Sequence, residues 1–61
     1  MILKIQQYDG EGLGWVHCTR CCDYPVGVTM LRGYRRDYPK DVYRLVEIDD
    51  KSGDIIKVFP L

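Results

Sequence analysis

The chain predicts an α+β fold of ββαββ order, a four-stranded antiparallel sheet covered by one helix. Three observations carry that expectation. The 61 residues include no Ala and no Asn, while Val, Ile, Thr, Phe, Tyr and Trp together supply 20, a balance that favours strands over helices. Clusters of Gly, Asp and Ser divide the β-rich runs into two pairs. One central segment carries apolar residues at helical spacing and runs into a proline. A five-stranded SH3-like small β-barrel is the alternative, which holds if the central segment is a strand.

The first strand is Met1 to Tyr8, with Leu3 and Ile5 on one face and Ile2, Lys4 and Gln6 on the other. Asp9-Gly10-Glu11-Gly12-Leu13-Gly14 is rich in residues that tolerate positive φ and makes a turn, and Trp15-Val16-His17-Cys18-Thr19 returns as the second strand of an antiparallel hairpin. From Tyr24 to Asp41 two readings compete. A helix beginning near Asp23 or Tyr24, with Pro25 in its first turn, aligns Met30, Leu31, Tyr34 and Tyr38 on one stripe and turns Arg32, Arg35 and Arg36 to water. Pro39 stops it, because the residue before a proline is pushed out of the helical region. A strand would alternate Val26, Val28 and Met30 with Gly27, Thr29 and Leu31. The helix accounts for the whole segment and is preferred, although Gly27 and Gly33 each cost it on the order of 1 kcal/mol relative to Ala. The last two strands are Val42 to Ile48 and Ile55 to Phe59. Gly53 suits the left-handed position of a type I turn with a G1 bulge between them.

One such domain fills the chain, with no linker, repeat or low-complexity segment. Its 46 % hydrophobic residues are enough for one small core, and a domain of this size buries only roughly 60 % of the surface its unfolded chain exposes. Stability therefore often draws on a metal, a disulfide or a second subunit. Two-domain and cofactor-cradling enzyme folds are excluded by length. Met1-Ile2-Leu3-Lys4-Ile5-Gln6 is too short and too soon polar for a signal peptide or a membrane span. Three cysteines within five positions, Cys18, Cys21 and Cys22, are unlike the even, dispersed set of a secreted disulfide scaffold. A soluble protein of the cytoplasm, with no membrane partner, is expected.

His17-Cys18-Thr19-Arg20-Cys21-Cys22 places four metal-ligating side chains in six residues. Cys-x-x-Cys can form half of a tetrahedral zinc site, but the chain has no second pair. Neighbours on a strand point to opposite faces, so zinc requires a local knuckle or a dimer that pools Cys18 and Cys21 from two copies. No cofactor is otherwise expected, and the plainer reading has the cysteines as small apolar residues. Gly10-Glu11-Gly12-Leu13-Gly14 lacks the register, the helix and the Lys-Ser end of a phosphate loop. Asp49, Asp50 and Asp54 lack the oxygen ligands of a calcium loop, since Lys51 and Gly53 stand where ligands belong. The single Ser52 and the single His17 give no nucleophile and base pair. Catalytic activity is not expected.

Nine basic and nine acidic residues cancel, which argues against a general polyanion binder. Their distribution is uneven. From Arg32 to Arg44, five cations (Arg32, Arg35, Arg36, Lys40 and Arg44) face two acids, and from Glu47 to Asp54 four acids face one Lys. A basic helix face beside Tyr34, Tyr38, Tyr43 and Trp15 can meet an acidic protein surface or a second copy, or track phosphates and stack bases.

The C-terminal Tyr43-Arg44-Leu45-Val46-Glu47 with Ser52-Gly53-Asp54-Ile55-Ile56 resembles the last hairpin of many small phage and mobile-element accessory proteins. In those, a Trp-containing first hairpin and a short helix precede a Tyr-Arg-Leu/Ile-Val hairpin. The resemblance covers about a third of the chain, which departs from the pattern in its alanine-free helix and its cysteines. It implies a protein that acts by binding a host protein or nucleic acid, and assigns no residue a role. The leading expectation is a non-enzymatic interaction protein, with a homodimer possible in principle, that modulates a protein partner through Arg32, Arg35, Arg36, Lys40, Arg44, Tyr34 and Tyr38 or through an exposed sheet edge. A nucleic-acid-binding regulator using the same patch is the alternative, and a zinc-stapled dimer through Cys18, Cys21, Cys22 and His17 the third.

Overall fold

A computed structural model describes residues 1–61 and has the ββαββ order: β1 (Ile2–Asp9), β2 (Gly14–Cys21), α1 (Tyr24–Asp37), β3 (Tyr43–Ile48) and β4 (Ile55–Val58). The strands form one open sheet in the order β2-β1-β3-β4, with every neighbouring pair antiparallel. β1 is therefore internal, flanked by β2 and β3, which run parallel to each other. α1 is the crossover between those two strands, and so it lies across one face of the sheet.

Local chemistry sets each boundary. Asp23 is extended (φ −153°, ψ 178°) and its carboxylate accepts from the Val26 N–H at 3.0 Å, capping α1 with Pro25 in the first turn. At the other end the Tyr38 N–H still donates to Tyr34 O at 2.8 Å, and Pro39 follows. Arg35 and Arg36 in the last turn complement the partial negative charge there. In the second hairpin Gly53 has φ +76°, and the Gly53 and Asp49 N–H groups donate to Asp49 O and Asp54 O, each at 2.9 Å. Gly53 takes the left-handed conformation expected of it, although the closing bond from Gly53 N to Asp49 O spans four residues and not the three of a type I turn.

Register decides which side chains meet the helix. Leu3 stands opposite Cys21 and Glu47, and Ile5 opposite Thr19 and Leu45, and directly opposed residues share a face. Leu3, Ile5, Cys21, Tyr43 and Leu45 thus form one apolar surface, and Leu31 of α1 seals it, with Val28, Met30, Tyr34 and Phe59 around the margin. Burying one such aliphatic side chain contributes roughly 1.5–3 kcal/mol. Gly27 brings the helix close: a Cβ there would lie 3.0 Å from Leu45 Cδ1 and 3.2 Å from Leu45 Cδ2. The expected stripe of Met30, Leu31, Tyr34 and Tyr38 needs correction on this point. The buried α1 positions are Gly27 and Leu31, while Tyr38, beyond the last turn, is 55 % exposed. Packing is concentrated where Gly27 lets the backbones approach.

Candidate functional site

The expected basic patch lies on the helix and the loop after it, with Arg44 set apart on β3. Arg35 Nη2 donates to Tyr43 O at 3.1 Å, tying the helix to β3. Arg36 pairs with Asp37 at 3.1 Å, both highly exposed; such a pair adds little stability. Arg32 is exposed on the helix and Lys40 in the loop that follows. Tyr34 packs against Tyr43 with ring centroids 5.0 Å apart and against Tyr38 at 6.4 Å, so it serves the margin of the core. A single open depression of about 330 Å³ lies along this helix, lined by Met30, Gly33, Tyr34, Asp37 and Tyr38. Arg44 and Trp15, read as neighbours of the helix patch, are elsewhere.

They sit on the sheet face that no helix covers. Along β1 the residues between Leu3 and Ile5 point away from α1, so Lys4, Gln6 and Tyr8 share that second face. Their cross-strand partners are Arg20, His17 and Trp15 on β2, and Val46 and Arg44 on β3. Tyr8 and Trp15 meet edge to face with centroids 5.2 Å apart. Arg44 reaches across β1 from β3, a span of about two strand spacings. Its Nε donates to Gln6 Oε1 at 2.8 Å and its guanidinium carbon lies 4.1 Å from the centre of the Trp15 ring. A planar guanidinium over an indole is a favourable cation–π pair. Partial burial lowers the Arg44 pKa, because desolvation disfavours the charged form.

No carboxylate is placed to offset it. Glu47 stands opposite Leu3 on the helix side, Asp9 ends β1 one residue past Tyr8 and so on that same side, and the other acids lie in turns, the helix cap, the helix end and the connection to β3. Arg36 with Asp37 is the one ion pair in the chain. Lys4 and Arg20 are directly opposed across β1 and β2, an arrangement that repels. Towards β4 the same face turns apolar: Ile2 faces Ile48, Val46 faces Val58, and Ile48 faces Ile55.

β4 is an edge strand and all four of its residues are exposed. Ile55, Ile56 and Val58 are 43 %, 59 % and 46 % exposed, with only Lys57 interrupting them. The Phe59 N–H donates inward to Leu45 O at 3.0 Å. Backbone groups alternate along a strand, so those of Val58 point out to the free edge.

The cysteine cluster is split by the sheet. β1 and β2 slip register between Ile5 and Gln6, which leaves Cys18 as the extra residue of a β-bulge. Its thiol points to Gln7 Oε1 at 3.9 Å, whereas His17 opposes Gln6 on the other face. Cys21 is 4 % exposed in the core and Cys22 is outside. Burial pushes both the Cys18 and Cys21 thiols up, with a smaller contribution from Asp41 at Cys18 and from Cys22 at Cys21. No group of three or more His, Cys, Asp or Glu side chains converges in a metal-holding arrangement. A zinc shared between two copies would have to draw Cys21 out of the core.

The helix patch is marked in the sequence by the density of Arg between Arg32 and Arg44, whereas the cationic sheet face is spread over three strands. Its signal is the alternation of Lys4, Gln6 and Tyr8 with Leu3 and Ile5, joined to Arg44 between Tyr43 and Leu45. No helix of the chain is long and apolar enough to cross a membrane. No protein-family model, curated protein or solved structure matches the chain.

Proposed function

We propose that this is a non-enzymatic interaction protein that binds an extended segment of a protein partner along β4. The observation that carries the proposal is the free edge: four exposed residues, three of them branched aliphatics, beside an outward row of backbone donors and acceptors. Exposed apolar edges are usually blunted by charge, proline or a covering element, and a strand that joins one gains main-chain hydrogen bonds together with side-chain contacts. Ile2, Ile55 and Val58 extend the apolar strip onto the uncovered face, beside the buried Val46 and Ile48 of β3. The resemblance of this hairpin to those of phage and mobile-element accessory proteins supports a host protein as the partner, met in the host cytoplasm and modulated by being bound.

Val58→Pro tests this, because it removes an outward N–H while the ladder to β3 keeps its bonds; proline is tolerated at such an edge position. The wild type is expected to recover a specific partner from source-cell lysate and to protect a segment of that partner from hydrogen exchange, with both lost in Val58→Pro at unchanged circular dichroism. Equal recovery by the two forms would overturn the edge as the binding element, and concentration-dependent dimers lost in Val58→Pro would make a second copy the occupant.

A further inference from the structure

The half of the uncovered face next to β2 differs from the apolar strip beside β4 and calls for a different ligand. Lys4, Arg20 and Arg44 all project from it, and no acid shares it. The direct opposition of Lys4 and Arg20 works against folding, and the half-buried Arg44 has Gln6 as its polar partner and no carboxylate. In a chain of zero net charge, three uncompensated cations on one face are complementary to an anion. Between them lie planar groups: the ring of Tyr8, a residue 48 % exposed, and the Arg44 guanidinium, whose carbon lies 4.1 Å from the centre of the Trp15 ring. Aromatic rings and guanidinium planes stack on nucleobases of any sequence.

We infer that Lys4, Arg20 and Arg44, with Tyr8 and Trp15, form a site for single-stranded nucleic acid, the cations meeting phosphates and the planes of Tyr8 and Arg44 taking bases. A flat, open sheet face favours a single strand over a duplex, whose bases are stacked on each other and unavailable. The site is independent of the β4 edge.

The chain supplies its own reporter, since Trp15 is the only Trp. Labelled oligothymidylate and oligouridylate of about 12 nucleotides, within the span of one small domain, are titrated by anisotropy alongside a duplex of equal length and polyglutamate. Binding to at least one single strand is expected, with a change in Trp15 emission and affinity at least tenfold above the duplex and polyglutamate. The slope of log affinity against log salt should be about −2, near 0.7 for each of three phosphate contacts. Lys4→Glu separates this role from a structural one, because it replaces a repelling pair by an opposed ion pair with Arg20. It should melt no lower than wild type and yet bind at least tenfold more weakly. Absence of binding at low salt, equal affinity for duplex, or unaltered binding by Lys4→Glu would each overturn the inference, and preference for polyglutamate would assign the face to an acidic protein segment.

Discussion

Beneath α1, Leu3, Ile5 and Leu45 are fully buried; Lys4, Gln6 and Arg44, each one residue away along the same two strands, remain half-exposed on the opposite face. Both faces are held by cross-strand contacts, but of different kinds. The covered face is sealed by a helix and carries dispersion and burial. The uncovered one carries an edge-to-face aromatic pair, a cation over an indole and a hydrogen bond to an amide. The difference separates two tasks in a chain too short to devote a domain to each. Most of the buried core lies on the covered face; on the other only Val46 and Ile48, towards β4, are buried, and the half next to β2 is free to keep charge that does not help it fold.

The comparison is most readily broken by truncating one residue on each side. Leu31→Ala opens a void at the centre of the covered face and is expected to cost about 3 kcal/mol, within the usual range for a buried leucine. In a domain this small that lowers the melting temperature by on the order of 15 °C. Tyr8→Ala removes one exposed aromatic pair and should cost only about 1 kcal/mol. Urea unfolding of the two variants at constant slope measures the difference. Equal losses would mean that the uncovered face is a second core, and its reading as a ligand surface would fall.

The loss of stability in alkali should come from the covered face. Cys18, Cys21 and Tyr43 all have raised pKa values, foremost because burial disfavours the ionised form, and for Tyr43 also because Asp41 lies beside its hydroxyl. The Tyr43 hydroxyl donates to Asp41 Oδ2 at 3.4 Å, which only the protonated phenol can do. A group with a raised folded-state pKa contributes fully below its unfolded value, and that contribution is lost as pH rises through the folded one. Stability should therefore be flat to about pH 8.5 and fall as pH passes the ordinary thiol and phenol values of 9.0 and 10.0. Thermal melts between pH 7 and 11 follow this loss, and Tyr43→Phe should shallow its upper limb. A decline beginning near neutrality would point to a group outside the covered face.

The covered face was largely legible in the chain. Leu3 and Ile5 alternate with polar neighbours, Asp23, Pro25 and Pro39 bracket one helix, and Gly53 stands where a left-handed residue is needed. Each of these signals acts over a few residues, and the corresponding elements form. The uncovered face depends on pairing across long separations. Arg44 meets Gln6, 38 residues away, and Trp15 is brought to Arg44 only because β2 and β3 both flank β1. Nothing local encodes that strand order. The helix arginines are close in sequence and stand out for that reason, yet Arg35 and Arg36 are occupied by Tyr43 O and Asp37.

Gly27 and Gly33 show the same limit within one helix, with effects smaller than that of truncating Leu31. By propensity each weakens α1 equally, and replacing either by Ala should contribute roughly 1 kcal/mol of stability. Tertiary contact separates them. At Gly33 the nearest foreign atom to a new Cβ is Arg36 Nη2, the mobile end of a long side chain, at 4.0 Å. Gly33→Ala should therefore realise most of the propensity gain. At Gly27 the new methyl would press on both methyls of Leu45, which is fully buried and cannot swing aside. Overpacking of this kind costs about 1–3 kcal/mol, so Gly27→Ala should be destabilising by up to about 2 kcal/mol once the propensity gain is subtracted. Opposite signs in paired denaturation curves would show that the closeness of helix to sheet at Gly27 sets the stability of the covered face. Two gains of equal size would mean that helix and sheet can move apart by a few tenths of an ångström without loss, and the contrast between a tightly sealed face and an open one would weaken accordingly.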